Sequence, residues 1–263
     1  MGGMDPAQPT ADTLLGDLVS RIHTALGDAL VGIYLYGSYV SGGFDPGISD
    51  LDLVAVTSAE VETIDLPRLD GVHQDFIARH LDWTDRLEVV YVGRATLEAF
   101  RTSPGRLAVI SPGEPFHLRD EPVFEWVQNW YLVRETGVVL FGPPAATLIP
   151  PIAWGEFAAA AVRYAGQISG QHVEDASPSA IAYAVLTMCR ALMTIQTQAH
   201  VSKQDGAAWT RQRMPEWAGV IDTALRSRAS RGAFSFDDAD SRAAAQVFIG
   251  LVAARVREAS LAG

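Results

Sequence analysis

The sequence predicts an α/β half followed by an all-α half. Three observations carry that prediction. Short apolar runs that stop at glycine or at a turn recur through the first 142 residues, as buried strands do. Proline pairs at 143–144 and 150–151 then interrupt the chain. Beyond them the texture changes to segments rich in Ala, Leu, Arg and Gln, with apolar residues at helical spacing. With 263 residues, 48% of them hydrophobic, the chain can bury one large core or two modest ones.

Residues 10–27 carry Leu14, Leu15, Leu18, Ile22 and Leu26 at three- and four-residue steps, an amphipathic helix. Val31 to Tyr36 is an apolar run ending at Gly37, read as a strand. Tyr39 to Ile48 holds three glycines and a proline and reads as a loop. Leu51 to Thr57 and Leu87 to Val92 are two more strands, and Gly137 to Phe141 is a short apolar piece before Gly142-Pro143-Pro144. Gly71 to Arg79 fits either type of element. Helices are predicted over Trp154 to Ser169, Pro178 to Gln198, Lys203 to Arg213, Pro215 to Ser230 and Asp237 to Ala259. Pro178 and Pro215 sit where a first helical turn tolerates the missing N–H, and Asp237, after Ser235-Phe236, lies in a cap region. The boundary is expected at 148/149.

The formal net charge of −11 argues against a nucleic-acid partner, which needs a basic surface. The acid excess either steers a polycationic small molecule or keeps the chain soluble. No apolar run approaches the roughly 20 residues that span a bilayer, so no membrane partner is expected. The stretch MGGMDPAQPT has neither a secretory pattern nor, with Pro6 at its sixth position, a myristoylation pattern. One cysteine, Cys189, excludes an internal disulfide framework and fits a cytoplasmic location.

The chemistry concentrates in Tyr36-Gly37-Ser38 and Ser49-Asp50-Leu51-Asp52. Gly37 lets backbone approach a phosphate, and Ser38 offers a hydroxyl and an N–H, best of all at a helix start. Asp50 and Asp52, two residues apart, point to one face of a strand and can hold Mg²⁺ with a nucleoside triphosphate. Glu88 opens the apolar strand LEVVYV, where it either meets the two aspartates as ligand or base, or turns to solvent beside Arg86 or Arg94. Arg190, within AVLTMCRALMTI, either pairs with an acid or contacts phosphate, as does Lys203 at the start of its helix. The six histidines have no zinc spacing and read as surface or edge residues, and Trp126 and Trp130 read as core.

The stretch GSYVSGGFDPGISDLDLVAV (37–56) resembles the nucleotidyltransferase domain of the DNA polymerase β superfamily, above all that of the bacterial aminoglycoside adenylyltransferases that modify streptomycin and spectinomycin. The resemblance continues through LEVVYV with Glu88, RETGVVLFGP (134–143) and VLTMCRALMTIQTQAHVSKQDGAAWTRQRMPEW (185–217). It implies an α/β nucleotidyltransferase domain with a mixed sheet over 1–148 and an all-α helical bundle domain over 149–263. It implies ATP as co-substrate and two Mg²⁺ ions in an interdomain cleft. Asp50, Asp52 and Glu88 would be the metal ligands, with Glu88 also the base. Gly37, Ser38, Ser49, Arg190 and Lys203 would contact the nucleotide, and Glu125 stands near a further acidic position.

The resemblance stops at the acceptor. Where streptomycin-binding members carry an aspartate ten residues before the arginine, this chain has Ala180. Their Gly-Glu-Trp stretch is here Ser111-Pro112-Gly113-Glu114-Pro115-Phe116, without tryptophan. The expected activity is transfer of AMP from ATP to a hydroxyl of a small molecule, an aminoglycoside or aminocyclitol antibiotic, by a monomer or weak dimer, with antibiotic resistance as its outcome. The rivals are another acceptor, either a different natural product or a protein side chain, and a non-catalytic nucleotide-binding protein.

Overall fold

The apolar runs become strands because they are apolar on both faces and therefore need cover on both sides. In the computed structural model, which describes residues 10–230 and 236–262, β1 is Leu30–Tyr36, β2 is Leu51–Thr57 and β3 is Leu87–Gly93. In each of the three, only the second residue escapes full burial. Three further strands, β4 (Leu107–Ser111), β5 (Glu114–Arg119) and β6 (Val138–Phe141), complete one six-stranded sheet in the order β5-β4-β3-β2-β1-β6. The sheet is mixed: β2 and β3 run parallel and the other pairs antiparallel.

Helix α1, Ala11–Leu26, starts at a Thr10 cap and buries Leu14, Leu15, Leu18 and Ile22. The ambiguous segment 71–79 belongs to α2, Leu66–Arg79. The Asp65 side chain accepts from the Arg68 N–H at 3.0 Å and Pro67 sits in the first turn. These two signals precede the ambiguous segment. Both helices pack on one face of the sheet. His23 of α1 lies 4.8 Å from the Phe141 ring and His73 of α2 lies 5.6 Å from the Tyr91 ring. Phe141 and Tyr91 belong to a single row, Phe141–Ile33–Ala55–Tyr91–Ala108–Leu118, that crosses all six strands.

The β4–β5 hairpin and two helices, α3 (Arg94–Glu98) and α4 (Val127–Thr136), escape the sequence patterns. β5 reads Glu-Pro-Phe-His-Leu-Arg, too polar to stand out, because it is an edge strand. The hairpin turns at Gly113, whose φ of 77° suits glycine.

The helices of the second half follow their predicted limits closely: α5 Trp154–Ser169, α6 Pro178–Thr197, α7 Lys203–Arg213, α8 Ala218–Ala229 and α9 Ala239–Ala262. Residues Pro215–Trp217 form a separate 3-10 turn ahead of α8. The carboxylate at the α9 start is Asp238, which accepts from the Ser241 N–H at 2.7 Å. Ser235, named with Asp237 in the predicted cap, lies outside the described residues, as do residues 1–9. α6 is the central helix, touched by α5, α7, α8 and α9. By length and composition it is the one described helix able to cross a membrane, but it is mostly buried in this bundle, as a core helix is.

The chain divides into two compact units. One holds the residues up to Gly37, Ser49–Trp126 and Leu132–Pro150; the other holds Ser38–Ile48, Val127–Tyr131 and the chain from Pro151 onward. The glycine-rich loop 38–48 thus groups with the helices.

Not all histidines are peripheral. His73 is fully buried, shares a 2.8 Å hydrogen bond between Nε2 and the Tyr91 hydroxyl, and has no partner for Nδ1. Burial pushes its pKa down to about 4. The folded state therefore holds a neutral ring that the unfolded chain protonates near 6.5, so this stability is complete above pH 6.5 and is lost as pH falls toward 4. Between pH 7 and pH 5 the loss at His73 amounts to about 2 kcal/mol. Urea unfolding at the two pH values checks this: His73→Phe shows a pH-dependent loss smaller than wild type by about that amount.

Candidate active site

The strand registers place three polar side chains in one row. Tyr36 of β1 pairs with Asp52 of β2, and Asp52 pairs with Glu88 of β3. Side chains opposite each other in a ladder share a face, and this face is opposite to the one covered by α1 and α2. The Tyr36 hydroxyl donates to Glu88 Oε1 at 2.9 Å. Asp50, one residue before β2, is close enough to Glu88 to act on its carboxylate electrostatically.

Two devices hold the aspartates in place. Gly37 has a φ of 70°, and a Cβ there would run into the Asp52 carboxylate, with Cγ at 2.7 Å. The turn after β1 must therefore be glycine for Asp52 to lie beside it. Arg86, buried ahead of β3, donates from Nε (3.1 Å) and Nη2 (2.5 Å) to the Ser49 carbonyl and from Nη1 to the Asp82 carbonyl (3.2 Å). Its guanidinium also lies 4.2 Å from the Trp83 ring. The Leu51 N–H donates to the Arg86 carbonyl at 2.9 Å. The entry to β2, which carries both aspartates, is thus tied to the entry of β3.

Glu88 keeps its carboxyl above the ordinary carboxylate range. Burial is the main cause, opposed by the hydrogen bond from Tyr36; Asp50 raises the value further, while Arg119 lowers it and Glu114 raises it. Arg119 and Glu114 form a 2.9 Å ion pair on β5. Arg119 Nη2 also reaches Ser111 Oγ at 3.5 Å, and its guanidinium lies 5.6 Å from the Trp126 ring. Val89 pairs with Ile110, so the same register sets Glu88 opposite Ser111, and Ser111 pairs with Glu114. The acidic row therefore runs on to the edge of the sheet.

Among the described residues, no three His, Cys, Asp or Glu side chains are gathered closely enough to hold a metal ion by themselves. The donor set is nonetheless of the right kind. Carboxylate oxygens suit Mg²⁺, which takes one or two carboxylates and completes its shell with water and substrate phosphates.

Within the helical unit, the phosphate candidates lie on neighbouring segments. Lys203 is the first residue of α7, capped by Ser202, whose side chain accepts from the Asp205 N–H at 3.1 Å. The Lys203 ammonium sits 3.6 Å from the centroid of the Tyr183 ring. A cation at a helix N-terminus opposes the macrodipole, and a nearby anion relieves that conflict. Gly206 lets α7 approach the Arg190 backbone, where a Cβ would come within 2.6 Å of Cα. Gly43, in the loop that carries Ser38, packs against Ser202. Arg190 makes no ion pair with a carboxylate among the described residues. Burial, with a smaller contribution from the Arg190 charge, pushes His200 down to about 4. Ser38 lies in a run of turns from Gly37 to Gly42 and starts no helix.

Of the residues singled out from sequence, the structure brings Asp50, Asp52, Glu88 and Gly37 together, with Ser49 beside them as the carbonyl gripped by Arg86. It groups Ser38, Arg190 and Lys203 in the other unit. Glu88 does not lean on Arg86 or Arg94: Arg94 pairs with Glu98 at 2.7 Å. Glu125 is exposed. Sequence reading assigned no role to the Tyr36 side chain or to Arg119, and offered Arg86 only as a neighbour of Glu88. For Tyr36 a signal existed, since a tyrosine closing a buried strand needs a partner for its hydroxyl.

Comparison with known proteins bears on the domains and the fold. Residues 19–111 match the family described as "Nucleotidyltransferase domain", and residues 147–253 match "Aminoglycoside adenylyltransferase, C-terminal domain". No curated protein matches the chain. Among solved structures, the fold is that of a spectinomycin adenyltransferase, AAD(9) from Enterococcus faecialis, determined with ATP and spectinomycin. The TM-score is 0.69 at 15% identity, covering 94% of this chain and 100% of that one.

Two outcomes follow from the site's geometry. Gly37→Ala forces Asp52 aside and strains the turn, costing about 1–3 kcal/mol in urea unfolding and at least about 100-fold in nucleotidyl transfer. Glu88→Gln removes a carboxylate whose folded pKa is raised. The stability tied to that raised value is complete below the ordinary carboxylate pKa and lost as pH rises through the folded one. The variant therefore has a higher urea midpoint than wild type at pH 8, and the gain shrinks toward pH 4.

Proposed function

Starting from a chain that is a nucleotidyltransferase, with the C-terminal domain of the aminoglycoside adenylyltransferases joined to its catalytic domain, we propose that it transfers AMP from ATP to a hydroxyl of an aminoglycoside or aminocyclitol, with Mg²⁺. The observation that carries this is the row in which Asp52 and Glu88 stand opposite each other on parallel strands with Asp50 nearby. We place the domain boundary at 148/149, next to the start of the second family match at 147.

Asp50 and Asp52 would hold the divalent ions, with Glu88 as a shared ligand. When bound, the ions neutralise charge on the phosphates and on the attacking and leaving oxygens. Glu88 takes the proton of the acceptor hydroxyl as that oxygen forms its bond to the α-phosphorus. The bond from the α-phosphorus to the bridging oxygen breaks, and pyrophosphate leaves with the electron pair. A carboxylate raised above its ordinary range is a better base near neutrality than a solvated one. Gly37 and Ser49 support the backbone around the aspartates. Ser38, Arg190 and Lys203 are the groups assigned to the triphosphate, where a guanidinium fork and an ammonium suit phosphate oxygens.

The net charge of −11 and the acidic row that ends at Glu114 favour a cationic acceptor. Ala180 leaves no carboxylate at a position that serves streptomycin in the family this chain resembles, so spectinomycin is the acceptor to try first. The test is transfer from α-labelled ATP to spectinomycin, streptomycin and kanamycin with and without Mg²⁺. Product with spectinomycin, none without Mg²⁺, and loss of at least about 100-fold in Glu88→Gln with ATP affinity retained is the expected result. Absence of product with every drug, while ATP binds, would redirect the search to another acceptor class. Full activity in Glu88→Gln would remove the base from its role.

A further inference from the structure

We propose that Tyr36 is a positioning residue for the transfer reaction: its hydroxyl tethers Glu88 across the intervening strand and fixes which carboxylate oxygen faces the acceptor. The inference rests on the proposed role of Glu88 as base. Tyr36 closes β1 and Glu88 is the second residue of β3, with Asp52 of β2 between them in the row. Neighbouring strands lie about 4.8 Å apart, so the bridge spans roughly two such spacings, a reach that suits an aromatic side chain with a polar tip. Tyr36 is 4% exposed. Its hydroxyl donates at 2.9 Å to Glu88 Oε1.

A glutamate has three side-chain torsions, and the repulsion of Asp50 would turn an untethered one away. The phenol removes that freedom. With Oε1 occupied, Oε2 is the oxygen that receives the acceptor's proton. A purely structural pair would serve packing alone, and its loss would appear in stability and in all kinetic constants together.

The experiment compares wild type, Tyr36→Phe, Glu88→Gln and the double variant for transfer of AMP from labelled ATP to whichever drug the wild type uses, alongside ATP affinity and thermal unfolding. Tyr36→Phe is expected to lower kcat roughly tenfold with ATP affinity changed less than about twofold. On the Glu88→Gln background the same change is expected to have no further effect beyond about twofold, since the group it positions is gone. A kcat for Tyr36→Phe within about twofold of wild type, a loss confined to ATP affinity, or penalties that multiply in the double variant would overturn the proposal. Should Tyr36→Phe unfold because it strands an ionised carboxylate, the double variant, with no such charge, still shows whether losing the hydroxyl carries a penalty of its own once Glu88 is gone, and such a penalty overturns the proposal. Wild type that adenylylates no drug defeats the functional reading instead, a result distinct from a Tyr36→Phe enzyme that works normally.

Discussion

The parallel pairing of β2 with β3 is the constraint on which the site depends. It puts Asp52 and Glu88 side by side at the starts of two buried strands. Parallel neighbours need a crossover between them, and α2 supplies it, packed by His73 and Phe76 on the opposite face. A slip of one residue in this register would send Glu88 to the helix-covered face and bring Val89 beside Asp52. The unbroken apolar runs after each acid prevent that slip, because strands buried on both faces fix their register through packing. The hydrophobic core thus determines where the acids stand.

Holding like charges together costs energy, and the surrounding structure shows how it is met. Arg86 clamps the Ser49 carbonyl with two donors, which fixes the backbone leading to Asp50. Gly37 concedes the space of a side chain to the Asp52 carboxylate. Tyr36 donates to Glu88, which burial and Asp50 otherwise push toward its protonated form. If the site takes Mg²⁺ as proposed, nucleotide phosphates would complete the metal's shell, and three acids need not meet at one point beforehand.

Much of this was legible in the sequence wherever the residues themselves carried the signal. The first three strands were readable because their apolar runs are continuous, and α5 to α9 because their periodicity is undiluted. Asp50, Asp52 and Glu88 stood out as acids at the mouths of those runs. The β4–β5 hairpin was not legible, since an edge strand with one covered face and a charged rim, Glu114 to Arg119, has no pattern that separates it from a loop. Arg86 and Tyr36 were hidden for a different reason. Their roles depend on which strands pair, a long-range fact that local sequence does not contain. His73 misled in the same way: nothing local marks an imidazole that α2 turns inward onto Tyr91.

The division between legible and illegible parts has a chemical meaning. The acids to which we assign the phosphorus chemistry sit at the entries of buried strands, Asp50 and Asp52 at β2 and Glu88 at β3. The Ser111–Glu114–Arg119 group continues the same row but lies on the edge strand, tied by ion pairs that solvent screens. Such a strand can change its side chains without disturbing the register of β2 and β3, which is set four to five residues deep in apolar packing. Under the proposed function, acceptor preference would vary at the rim while the chemistry assigned to Asp52 and Glu88 stays fixed. A tryptophan missing from residues 111–116 alters what the rim contacts and leaves the row of acids in place.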